Sequence, residues 1–183
     1  MKLKPLFIPI LLLGFFFLFV LSCAKREEPR AVFVAPRAPA ADGKALWSYI
    51  TKDSPYTEYQ FWPGKTALYK GTMPHGALLN LYVNNKALRA INRAIKRKAG
   101  VIAMPNGSII VKENYKPDKT LAAITVMYKV AGYNPEASNW FWAKYSPKGE
   151  IAMGGKAAGK VPMCIECHGM KKANGYIMTE HPG

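Results

Sequence analysis

Residues 159–170, GKVPMCIECHGM, set Cys164 and Cys167 in C-x-x-C spacing, with His168 directly after the second. In that spacing two thiols can form thioethers with the two vinyl groups of a haem, and the following histidine supplies an axial nitrogen to the iron. Other chemistries fit less well. Zinc wants four ligands, and only His75 and His181 remain as further imidazoles. A thioredoxin-like redox pair has no use for His168 and wants a βαβ context that is absent. The motif therefore implies one covalent haem c and its iron, with Cys164 and Cys167 as anchors and His168 as proximal ligand.

The third cysteine has a different setting. Lys2 and Lys4 precede the apolar run PLFIPILLLGFFFLFV, and Ser22-Cys23 closes it. That order reads as an export leader, residues 1–22, ending at a lipoprotein-type cleavage site with Cys23 as the lipidated residue. The run is slightly shorter than the ~20 residues of a spanning helix, and an uncleaved anchor would still leave the rest outside the cytoplasm. Residues 23–41, rich in Pro, Ala and charge, read as a flexible tether, and residues 42–183 as the haem domain. The expected location is the periplasmic side of a bacterial membrane, or the cell surface, held by lipid. No cysteine remains for a structural disulfide, so core and cofactor must hold the fold.

A net charge of +15 favours anionic surroundings, such as lipid headgroups or an acidic redox partner protein. Export argues against nucleic acid. The densest basic run, Arg89 to Lys98, coincides with Leu88, Ile91 and Ile95 at helical spacing, which predicts an amphipathic helix ending at Gly100.

Elsewhere, Asp42 can cap a short helix through GKALWSYITK, with Leu46 and Ile50 on one side. ALLNLYVNN predicts a strand. Pro105-Asn106-Gly107 predicts a turn into a β-branched strand, IIVKENY, followed by TLAAITVMYKV and NWFWAKYS as further strands. PKGEIAMGGKAAGK reads as loop. Within it, Gly154, Gly159 and Lys160 resemble part of a P-loop, but Val161 stands where Ser or Thr is required. Short turns between strands imply an α+β fold: an antiparallel β-sheet with packed helices and a C-terminal haem-attachment helix.

The far side of the iron decides function. A strong second ligand makes an electron carrier; an open position lets a small molecule bind or react. Met73, Met104, Met127, Met153, His75 and His181 are the candidates to close it.

The motif near the C-terminus, preceded by PHGALLNLYVNNKA, GSIIVKENY and NWFWAKYSPKG, resembles the cytochrome P-460 and cytochrome c′-beta family over roughly residues 44–178. The resemblance implies a homodimer of antiparallel-sheet subunits and a high-spin haem with one axial histidine. It also implies binding of nitric oxide or oxidation of hydroxylamine. Lys112 falls where hydroxylamine-oxidising members cross-link a lysine to the haem edge. The distal carboxylate of those members falls near Thr125 or Met127, where this chain has no acid. Oxidising hydroxylamine releases protons and wants a base beside the bound nitrogen. A pocket lined by Thr125, Met127 and Phe141 or Trp142 suits an uncharged gas better, with Glu113 or Glu136 the acids that could reach in from elsewhere. The reading is thus a lipid-anchored cytochrome with an open or weakly occupied distal site. A six-coordinate electron-transfer cytochrome, closed by Met or His, is the alternative.

Overall fold

A computed structural model of the chain describes residues 37–180. The leader, Cys23, most of the tether and His181 lie outside the described residues. No helix among those described is long and apolar enough to cross a membrane.

The centre is an antiparallel sheet of seven strands: β1 (Gln60–Phe61), β2 (Tyr69–Lys70), β3 (Leu78–Val83), β4 (Ile109–Tyr115), β5 (Leu121–Lys129), β6 (Trp140–Tyr145) and β7 (Ala158–Gly159). The order is β1-β3-β4-β5-β6-β7, with β2 also paired to β3. The four sequence-predicted strands are β3, β4, β5 and β6. The stretch read as loop after β6 instead returns to the sheet, through β7 and a Tyr145–Ile151 bridge.

Side chains alternate between the faces of the sheet and build two cores. Ile109, Val111, Val126, Tyr128, Phe141 and Tyr145 pack with Leu46 and Ile50 of the N-terminal helical segment. That segment is α1 (Gly43–Ser48), continued by a π turn over Tyr49–Asp53. The Asp42 carboxylate caps it as expected, accepting from the amides of Lys44 and Ala45 at 2.9 Å each. Contact with the body begins earlier, within the stretch read as tether: the Tyr128 hydroxyl donates to the Pro39 carbonyl at 3.0 Å.

The other face meets α2 (Asn85–Lys96) and α3 (Pro162–Gly169). In α2 the buried stripe is Ala87, Ala90, Ile91 and Ala94, while Leu88 and Ile95 are only partly covered. Alanines let the helix lie close to the sheet, so the stripe sits one position over from the larger residues. The helix stops before the expected Gly100. Lys98 takes the left-handed position at φ 50°, with Ala99 N–H bonding to Ala94 O and Lys98 N–H to Ile95 O. That is a Schellman termination in which a lysine stands where glycine usually does. At the start of α2, Asn84 accepts from Ala87 and Ile109 amides and donates to the Gly107 carbonyl, tying helix, turn and β4 together.

Glu113 and Lys112 are neighbours in β4 on opposite faces. Glu113, 7% exposed, accepts from the hydroxyls of Tyr56 (2.9 Å), Tyr115 (2.7 Å) and Tyr82 (3.3 Å), and from the Asn80 amide (2.8 Å). Burial first, and the carboxylate second, push the Tyr56 phenol well above its usual range. Hydrogen bonds to a charged group are among the stronger ones. Glu113→Ala is expected to destabilise the fold by about 3 kcal/mol, the order of one or two such bonds. Denaturant unfolding checks this, and an unchanged midpoint contradicts it.

Candidate functional site

Helix α3 begins with Pro162 at its first turn, where a missing N–H costs nothing, and carries the whole C-x-x-C-H segment. Cys164, Cys167 and His168 are part-buried and face a cavity of about 250 Å³ against the sheet. Neither thiol is in a disulfide.

The sheet supplies the floor of this cavity. Register aligns Leu81, Lys112, Thr125 and Lys144 in one cross-strand row. The next row is Val83, Ile110, Met127 and Trp142. All but Val83 line the cavity. Lys112, Thr125 and Met127, singled out from the sequence, are therefore brought together with the C-x-x-C-H segment. Trp142 also faces the cavity, whereas Phe141 packs in the opposite core, as strand alternation requires. An adjoining space of about 330 Å³ is lined by Lys65, Tyr69, Lys70 and Met73, and shares His75, Lys112, Cys167 and His168 with the first.

Both cavity imidazoles have their tautomers set by their partners. His168 Nδ1 lies 2.8 Å from the Tyr176 carbonyl, an acceptor only, so Nδ1 carries the proton and Nε2 keeps its lone pair. His75 Nδ1 lies 3.0 Å from Asn114 Oδ1. The Asn114 NH2 faces three oxygens, Lys112 O (2.9 Å), Ala123 O (3.2 Å) and Thr125 Oγ1 (3.2 Å), while Oδ1 also accepts from the Gly76 amide at 3.3 Å. The amide orientation thus makes His75 Nδ1 the donor and leaves its Nε2 free as well. The two ring centroids are 6.4 Å apart and the planes nearly perpendicular, at 87°.

Burial dominates the electrostatics. It lowers His75 to about 4, with Lys112 adding to the shift. It lowers His168 too, against the opposing bond to Tyr176. Lys112 is held down to about 8, mainly by burial and further by Lys65, so part of its amine is neutral near physiological pH. The Cys164 thiol is raised by burial.

These features suit a haem c. Two free thiols and an imidazole lone pair stand on one helix beside a mostly apolar cavity. The Trp142 side chain forms part of the cavity wall, and its buried indole N–H has no hydrogen-bond partner among the described residues.

Of the other candidates to close the iron, Met104 is buried in the core and Met153 is 54% exposed; neither lines either cavity. Neither Glu113 nor Glu136 lines a cavity; among the described residues no Asp or Glu lines the first cavity, whereas Glu180 lines the adjoining one. Sequence reasoning missed Lys144, Asn114 and the Tyr176 carbonyl. Lys144 could have been found from strand register, since it lies directly across from Thr125. The Tyr176 carbonyl carries no side-chain signal.

A family model for cytochrome P460 matches residues 56–179. A search of curated proteins found no match.

Because His75 and His168 are both held neutral, acid favours the unfolded chain, where each binds its proton more readily. For His75 the stabilising contribution is expected to be complete above about pH 6.5 and to fall away as pH drops toward about 4. His75→Gln should flatten that slope in unfolding curves taken between pH 7 and pH 4. An identical slope in variant and parent contradicts it.

Proposed function

The chain belongs to the cytochrome P460 family, a family of haem c cytochromes, and on that premise we propose that it binds nitric oxide at a haem held from one side. Cys164 and Cys167 would hold the macrocycle, and His168 Nε2, its lone pair free, would bind the iron. When bound, the haem would supply an iron able to take a small ligand.

The chain's own groups do the rest. The Tyr176 carbonyl holds the His168 proton at Nδ1 and aims the ring, the usual role of an outer partner to a ligating histidine. Ile110, Met127 and Trp142 provide an apolar wall that discourages water. The observation that carries the gas-binding reading is the acid-free lining of the cavity beneath α3 among the described residues. An uncharged diatomic asks for no proton acceptor, whereas hydroxylamine oxidation does.

Hydroxylamine oxidation is the second reading, and the placement of Lys112 favours it. Lys112 lines both cavities together with Cys167, and its lowered affinity for protons leaves a fraction of the amine nucleophilic, as a bond to the haem edge would require.

Members of the family are generally exported. For this chain the proposal adds lipid attachment at Cys23, a homodimeric state, and an acidic redox partner drawn by the net charge of +15.

The two readings separate by experiment. Intact-mass measurement of the purified holoprotein is expected to show one haem retained through denaturation, and its loss in a Cys164→Ser, Cys167→Ser double variant. Nitric oxide should shift the visible spectrum of the parent protein. A low-spin spectrum that nitric oxide leaves unchanged favours the electron-transfer alternative. Peptide mapping then decides on Lys112: an unmodified lysine together with no hydroxylamine turnover removes the enzymatic reading.

A further inference from the structure

The floor of the cavity beneath α3 has two unlike rows. One, Ile110, Met127 and Trp142, is apolar; the next carries Lys112, Thr125 and Lys144. A neutral gas needs only the first. Lys112 and Lys144 flank Thr125 from the two neighbouring strands and share its face, so their backbones stand about 10 Å apart, twice the strand spacing. Each ammonium rides on a flexible four-carbon stem with three rotatable donors, so both can turn toward one guest between them. Neither has a hydrogen-bond or ion-pair partner among the described residues.

The charges acting in this cavity run one way. Lys112 acts as a cation on His75 and His168, and Lys144 does so on His75 and Cys164. Lys112 in turn feels Lys65. Its one anionic neighbour is Cys167, whose charge a thioether would remove. Glu180, the acid of the adjoining space, does not line this cavity. A recess of one sign with low-dielectric walls concentrates ions of the other. Resting on the reading of a haem held from one side by His168, we infer that the row Lys112, Thr125, Lys144 is a binding site for a small anion such as nitrite, with Lys144 selecting ligands by their charge.

The two lysines hold different places. Lys112 is part-buried and lines both cavities, whereas Lys144 is exposed and lines the first alone, where it can meet an arriving anion. The returning chain after β6 fixes its backbone: Lys144 N–H donates to Ala157 O at 2.8 Å, and its carbonyl accepts from Ala152 N–H at 2.9 Å. The Thr125 hydroxyl is already engaged, accepting from the Asn114 amide at 3.2 Å and facing Lys112 O at 3.4 Å. Recognition therefore falls to the ammonium groups. Nitric oxide, being uncharged, gains little from either, so loss of a lysine charge separates the two ligand classes.

The test uses the ferric holoprotein, titrated with sodium nitrite and sodium azide and followed by its visible spectrum. Both anions are expected to give saturable changes. Lys144→Gln should weaken each about tenfold, the order of one charge-assisted hydrogen bond. Lys144→Arg should keep the parent affinity, and nitric oxide should bind all three proteins alike. No response to either anion, or equal affinities in parent and Lys144→Gln, overturns the inference; haem carboxylates that already hold both lysines would give that result. Parallel losses of anion and nitric oxide binding overturn it too, since charge is then not the selector. Should the variants fail to fold, the parent decides alone. Rising ionic strength is expected to weaken nitrite and azide but not nitric oxide, and salt-independent anion binding overturns the inference. If nitric oxide is not taken up while anion binding still depends on Lys144, the gas-binding reading falls and the anion site stands.

Discussion

A β-strand offers successive side chains to opposite faces, and in β4 that rule parts a lysine from a glutamate across one peptide bond. Lys112 is delivered to the cavity beneath α3, and Glu113 to a closed knot of three tyrosines and an asparagine on the other side. The split decides what the site can do. The only acid in β4 is spent on stability, so the floor of the cavity carries lysines, a threonine and apolar groups. Slipping the register by one residue would exchange the two faces and place a carboxylate beneath the helix.

The same strand also sets the histidines. Asn114, two positions from Lys112 and on the same face, uses its amide hydrogens on three oxygens of the sheet and turns its carbonyl oxygen toward His75. A hydrogen-bond pattern made for the sheet thereby chooses which nitrogen of a loop histidine keeps its lone pair. On the helix side, a single carbonyl, that of Tyr176, does the same for His168. Two imidazoles with matched tautomers facing shared space are the result.

Much of this was legible in the chain. The C-x-x-C-H spacing announces the cofactor, and the alternation in IIVKENY and AITVMYK places Lys112, Thr125 and Met127 on faces that the sheet then aligns. The turn at Pro105-Asn106-Gly107 and the Asp42 cap were equally plain, because their chemistry is local. What escaped depends on partners distant in sequence. Lys144 reaches the site only through pairing with β5, and Phe141 could be told from its neighbour Trp142 only once that pairing was known. The end of α2 at Lys96 was hidden because a lysine, not a glycine, takes the left-handed turn.

Coordination of the iron links all of these features, and the most direct measurement is the visible and electron-paramagnetic spectrum of the purified holoprotein before and after nitric oxide. A covalent haem with one exchangeable axial side predicts a new nitrosyl spectrum, formed stoichiometrically with protein. A preparation without haem, or a spectrum that nitric oxide does not alter, contradicts it.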